Sequence, residues 1–329
     1  MGVTMLTENY IEKFNSNLPK IIDEDTYINI IRLDNNLYRF NIINRIAFEV
    51  VHNKNLFDLK SKEEWFELGR KVIDLQDYID VLLPMYKTYY RDTYTNEIVD
   101  IKEFSSDELK KAIELKVIYK DEELSEFTSH RLYDIRNTSN IDKESKYIVP
   151  KPIFNIKIYF DIINSLTGIT VAESEDIVFF SDKEKVLYIC RDSYENTLCT
   201  LTDCLVSFML KHPDDYITNN KGIFIDIESK RVNRLIVESI KFKILSLLGI
   251  INKNDVIVAL RQSGVSSYED LMDILMIVDE LSLNILNKIK FTDNNVNNDV
   301  ISNITKIKKV DLLLNILQAN SIHSKIEGN

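Results

Sequence analysis

The sequence predicts an α+β fold, predominantly α-helical, with a small antiparallel β region near residues 151–191. Three observations predict it. Glycine occurs seven times and proline five times in 329 residues. That is roughly a third of ordinary usage, and few breakers favour long helices. Apolar residues recur at helical spacing through most of the first 115 residues and again after residue 195. Between them lie short β-branched and aromatic runs, PIFNIKIYFDII, GITVA, DIVFF and KVLYICR, separated by polar punctuation.

Taken in order, residues 24–50 carry Tyr27, Ile30, Ile31, Leu37, Ile42, Ile43, Ile46 and Phe48 at mostly helical spacing, with an interruption at Asp34-Asn35-Asn36. SKEEW, residues 61–65, is a capping box in which Ser61 bonds the backbone three residues on and Glu64 reaches back. The helix it opens is expected to bury Trp65, Leu68, Val72, Leu75 and Ile79, with Pro84 ending or kinking it. A shorter helix is expected after Ser105-Ser106, with acids in its first turn. Residues 117–150 are polar and aperiodic and read as a connector. After the β region, helices are expected over 195–211, 229–248 (closed by Gly249), 255–262 (stopped by Gly264) and 267–290. A polar loop follows at 291–299, then a last helix over 300–318. The organisation expected is a helical domain over 1–116, a connector over 117–150, and a β-then-helical domain over 151–329. No repeat of fixed period is evident.

Charge and composition exclude some classes. The formal net charge is −11, so most of the surface repels nucleic acid and anionic membrane. Nucleic acid remains a partner only through a local basic patch. No apolar run is long enough to span a bilayer; ILSLLGII near 244–251 is typical. The start, MGVTMLTENYIEK, lacks a cationic-then-apolar leader, and Leu6 stands where a myristoylation signal wants Ser or Thr. Three cysteines imply no disulfide framework. A cytoplasmic protein without membrane partners is expected. Abundant Ile, Asn, Lys, Asp and Tyr, whose codons are AT-rich, point to a low-GC bacterium, its phage or another AT-rich genome.

The seven glycines stand at 2, 69, 168, 222, 249, 264 and 328, none within five residues of another. Phosphate-cradling loops need several close together. A P-loop, a dinucleotide fingerprint and a nucleophile elbow are absent as motifs, and no cofactor is expected.

Residues 222–229, GIFIDIES, place Asp226 and Glu228 on one face of an extended chain. The stretch resembles the first motif of the proofreading-type 3′–5′ exonucleases, where such a pair holds metal ions. The resemblance covers eight residues, and the acids the family supplies downstream have no counterpart in KRVNRLIVESIKFKILSLL. Asp226 and Glu228 therefore read first as acids that suit a helix N-terminus and only second as metal ligands. Lys230, Arg231 and Arg234 follow in the first turns, where cations oppose the helix dipole. The upstream acids, an acidic partner or a phosphate would compensate them.

NDVIVALRQSGVSSYEDLMDIL, residues 254–275, resembles the helix-turn-helix DNA-binding family in Ala259, Gly264 and Val265. The turn glycine falls one residue late. The second helix carries Glu269, Asp270 and Asp273 and no cation before Lys288, so a plain helical hairpin is the preferred reading. DIRNTS, within residues 126–140, resembles the His-x-Leu-Arg-His-Thr box of tyrosine recombinases with Tyr133 in place of the histidine, too early in the chain; a surface loop is expected. YKTYYRDTY, residues 86–94, interleaves Tyr86, Tyr89, Tyr90 and Tyr94 with Lys87 and Arg91. Such a surface suits a protein interface or stacked bases, and helical spacing would equally set these rings at a core rim. Cys190, Cys199, Cys204 and His212 match no zinc spacing and read as core residues. In the C-terminal stretch, Leu313 widens the apolar stripe that includes Leu317, which suits a second contact.

No catalytic constellation assembles from these residues. The favoured reading is a non-catalytic interaction or assembly protein whose partners are other protein subunits or a second copy. The alternative acts on nucleic acid, through residues 254–275 or through Asp226 and Glu228.

Overall fold

The computed structural model describes residues 4–5, 8–33, 37, 40–52, 56–141, 151–175, 178–181, 183–190, 192–217, 229–250 and 252–291. Asp226, Glu228, Leu313 and Leu317 lie outside them, as does the helix expected over 300–318. The described chain is α+β and mostly helical. It forms two compact units. One is built from residues 4–5 and 81–130, the other from 8–80 and 131–291.

The chain opens with β1 (Thr4–Met5), α1 (Glu8–Asn17), a 3-10 turn, α2 (Glu24–Ile31) and α3 (Ile42–Ala47), which runs on into a π turn over Phe48–His52. Asp23 caps α2 by accepting from Thr26 N–H, and Asn41 caps α3 through Asn44 N–H. Then come β2 (Leu59–Lys60), α4 (Lys62–Glu67) and β3 (Arg70–Val72). The Ser61–Glu64 capping box is present in both directions. The helix it opens is only six residues long, not the run to Ile79 expected from the sequence. Trp65 and Val72 are nonetheless buried together against Tyr133, and Trp65 Nε1 donates to the Tyr133 carbonyl at 2.8 Å.

The largest departure follows. Residues 79–92 form β4 (Ile79–Asp92), and residues 118–134 form β5 (Ile118–Asp134), paired with it. The first was expected as helix, the second as connector. Pro84 does not end a helix; it sits in a strand that has one partner among the described residues, and an edge strand tolerates the missing N–H. β5 shows no apolar period. Pairing with β4, and at its far end with β1 and β2, holds it extended rather than apolar periodicity. DIRNTS is not a loop: β5 ends at Asp134, and a 3-10 turn leads into β6 (Thr138–Asn140), paired with β3. Between β4 and β5, α5 (Ser106–Glu114) carries its own capping box at Ser105 and Glu108.

In the expected β region, β7 (Pro152–Ile153) gives way to α6 (Ile156–Thr167). Within PIFNIKIYFDII, Tyr159, Ile162 and Ile163 already stand at helical spacing, and Asn155 caps the turn. β8 (Thr170–Ser174), β9 (Phe179–Ser181) and β10 (Val186–Cys190) form a small sheet in the order β8-β10-β9. β9 pairs antiparallel with β10, whereas β8 pairs parallel with it.

The rest follows expectation closely: α7 (Tyr194–Lys211), the short α8 (Pro213–Tyr216), α9 (Lys230–Leu247), α10 (Asn254–Ser263), α11 (Tyr268–Leu286) and β11 (Lys290–Phe291) on β7. Gly264 ends α10 with φ +76°, a left-handed position that suits glycine. α9 packs against α7, α10 and α11. Polar groups stitch this core. Lys243 Nζ donates to Asp279 Oδ1 at 2.5 Å, Arg45 Nη1 lies 3.8 Å from the same oxygen, and Ile42 N–H donates to Asp279 Oδ2. Arg45 also donates to the Ile30 carbonyl. Tyr27 Oη meets Ser239 Oγ at 2.9 Å, and Leu33 N–H donates to Ser246 Oγ. Burial pulls the Arg45 guanidinium down to about 10 against the opposing field of Asp279.

Candidate functional site

Two places carry surface chemistry that the fold does not consume. The first is the distal part of the 81–130 unit. Arg91 bridges to Ile98, Val99 N–H donates to the Tyr90 carbonyl, and Thr93 N–H donates to the Val117 carbonyl at 2.9 Å. Arg91 Nε holds Asp121 at 2.8 Å, and Tyr119 Oη donates to the Asn96 side chain. These polar bonds define the tip, but little apolar surface is buried there. Among the described residues between 94 and 119 only Ile118 is buried, and α5 has no buried residue. Seven of the eighteen exposed large apolar side chains among the described residues come from this short segment: Tyr94, Ile98, Ile101, Ile113, Leu115, Val117 and Tyr119.

The tyrosines expected on one helical face are arranged otherwise. Tyr89 and Tyr90 are neighbours on a strand, so their rings leave opposite faces, and both are half-buried. Lys87 Nζ stands 5.3 Å from the Tyr89 ring centroid. Tyr94 lies beyond the strand and is 88% exposed. The side chain of Tyr86 lies outside the described residues. Sequence reasoning missed Ile98, Ile101, Ile113, Leu115 and Val117. Their signal was an apolar set within an otherwise polar stretch, legible only once the segment was known to be a hairpin with one short helix.

The second place is a groove of about 580 Å³ beside α9 and α10. Lys230, Arg231 and Arg234 of α9 line it, with Arg261 and Gln262 of α10 and Gly264 beyond. The three α9 cations, flagged by their position, are therefore gathered along one concavity, and Arg261 joins them from the neighbouring helix. All four are exposed. Arg234 Nη1 donates to Gln262 Oε1 at 3.0 Å. Arg261 forms a two-pronged pair with Glu24, at 2.6 and 2.8 Å, which holds the Glu24 carboxyl below the usual range. Among the described residues no carboxylate pairs with Lys230, Arg231 or Arg234. α9 has no acid in its first turn, and Ser229 makes no side-chain cap. The first bond closing that helix runs from Asn233 N–H to the Ser229 carbonyl, so the preceding N–H groups face its N-terminal end.

Other sequence candidates resolve differently. From Leu271 to Asp279 every residue of α11 is buried. That stretch has no face for a DNA groove, but Tyr268, Glu269 and Asp270 ahead of it are not buried and α10 is partly exposed, so residues 254–275 form a helical hairpin with one side in the core. Cys190, Cys199 and Cys204 are free thiols, partly buried, and burial pushes the Cys199 and Cys204 thiols up. Among the described residues no group of three or more His, Cys, Asp or Glu could hold a metal ion. Among them also, no helix is long and apolar enough to cross a membrane.

No protein-family model matches the chain, and no curated protein matches it. Among solved structures it is similar to the antirestriction protein ArdC from the R388 plasmid. The metal-free structure shares 12% identity, covering 85% of this chain and 99% of that one, with a TM-score of 0.40. The Mn(II)-bound structure shares 13% identity, covering 75% and 84%, with a TM-score of 0.32. Likeness at that level fixes neither fold nor function.

Proposed function

We propose that this chain is a non-catalytic interaction protein that docks a protein partner, another subunit or a second copy, through the distal hairpin of its 81–130 unit. The supporting observation is the density of exposed large apolar side chains between Tyr94 and Tyr119, on a segment with one buried residue. Soluble surfaces seldom concentrate apolar groups in this way unless something covers them. A two-stranded hairpin is also marginal on its own, and docking would supply the burial it lacks. Aromatic rings such as Tyr94 and Tyr119 suit an interface because they add area at small entropic cost. The nucleic-acid alternative has less support. Residues 271–279 of the would-be reading helix are buried, and its start carries Glu269 and Asp270, which phosphates repel.

The experiment compares wild type with Leu115→Asp and Ile98→Asp. Mass-resolved size-exclusion chromatography across concentration reads self-association. Affinity capture from the native host, with nuclease treatment, reads a stoichiometric partner. The expected result is one protein contact, homotypic or heterotypic, that survives nuclease and is lost in both variants while their unfolding curves match wild type. A contact retained by both variants, or lost to nuclease, overturns the reading.

A further inference from the structure

We propose that the groove beside α9 and α10 is a binding site for a compact polyphosphate, a di- or triphosphate chain carried by a nucleotide or present as the inorganic anion. It lies within the 8–80 and 131–291 unit and is independent of the docking hairpin. Four cations line a space of about 580 Å³, and among the described lining residues none is a carboxylate or an aromatic ring. Three of them are arginines, whose planar forks match phosphate oxygens two at a time. Two are already oriented: Gln262 holds Arg234, and Glu24 holds Arg261 from α2. The binding geometry is thus partly set before any ligand arrives. Lys230 and Arg231 stand at the positive end of α9, where they repel one another and the dipole until an anion is present.

Ligand size follows from the surroundings. The chain carries a net −11, and Asp23, Glu24 and Asp25 cluster at the start of α2, the helix that supplies Arg261's partner. Screening at physiological salt confines these fields to about 8 Å. A compact anion held among the four cations meets Glu24, already paired with Arg261, as its near acid, whereas a long nucleic acid would run on over more acidic surface. The described lining offers guanidinium and ammonium groups and no aromatic platform, so it reads phosphates rather than bases.

The test is titration calorimetry on the full chain with inorganic triphosphate, ATP and a single-stranded oligonucleotide. Triphosphate is expected to bind with unit stoichiometry and to weaken as salt rises. Arg231→Ala/Arg234→Ala is expected to weaken it by about tenfold or more, the scale of losing charge-assisted bonds. Circular dichroism should show the helical content unchanged, since both side chains lie exposed on α9. Lys230→Ala, a milder change, should give a smaller loss in the same direction. Leu115→Asp should leave binding unchanged, which separates this site from the docking hairpin. Equal affinity for ATP and triphosphate assigns the phosphate chain alone as ligand; tighter ATP binding assigns a nucleotide as its source. No binding of triphosphate, binding indifferent to the arginine substitutions, or an oligonucleotide that outcompetes triphosphate overturns the proposal.

Discussion

The interior around α9 and α11 and the tip of the 81–130 hairpin handle their awkward groups in opposite ways. The interior takes charge inside and partners it. Lys243, Arg45 and Asp279 are each under a tenth exposed, and Asp279 meets both cations and the Ile42 N–H. The tip leaves apolar groups outside and covers none of them. A buried charge is tolerated only when its neighbours satisfy it, so the interior constrains its own geometry. An exposed apolar group is tolerated without local compensation and becomes a liability or an interface. The first arrangement serves a unique packing; the second serves a partner.

The comparison breaks most sharply at Asp279. Asp279→Ala leaves two buried cations sharing no anion and should cost about 3–5 kcal/mol in chemical denaturation. Replacing all three charges with apolar side chains (Arg45→Met, Lys243→Met and Asp279→Leu) should cost less, because the Ile42 N–H loses its acceptor but none of the three buried charges is left without its partner. A triple variant as unstable as Asp279→Ala would show that packing, not pairing, decides the site. A smaller effect is expected at Ser61. Ser61→Ala removes the cap that starts α4 and positions Trp65, for a loss of about 0.5–2 kcal/mol in the same assay.

Glu49 sharpens the contrast through pH. Burial pushes its carboxyl above the usual range, against an Asn29 hydrogen bond and the field of Arg45. The folded chain therefore keeps the proton to higher pH than the unfolded chain. Stability falls as pH rises from the ordinary carboxyl value through the folded one, then stays at the lower level. Glu49→Gln should flatten that slope in stability measured across the acid range. An unchanged slope would place the titration on another group.

Much of the interior was legible in the sequence. α7, α9, α10 and α11 announce themselves through periodicity and through Gly264, and the Ser61–Glu64 capping box can be read directly, whereas the one at Ser105 and Glu108 showed only as a helix start with acids in its first turn. β4 and β5 were not legible. Residues 65–79 happen to place apolar groups at helical spacing, and Pro84 reads as a helix breaker when its partner strand is unknown. β5 has too few apolar residues to show a period, because its extended state comes from pairing with a strand some forty positions away. Of the groove, Lys230, Arg231 and Arg234 stood out as cations at the wrong end of a helix. Arg261 did not, since only the packing of α10 on α9 brings it there.

The smallest stability effect is the most informative about the tip. Leu115 is 66% exposed, so Leu115→Asp removes little buried surface and should shift unfolding by no more than about 0.5 kcal/mol. A charge placed where Asp279 lies would be ruinous without partners, yet here it meets water. If the tip is covered by a partner, the same substitution must desolvate that carboxylate against an apolar face, and binding should fail although folding does not. Stability and binding would then separate at one residue. A substantial loss of stability in the isolated chain would instead mean that Leu115 packs within its own unit, and the interface would have to be sought elsewhere.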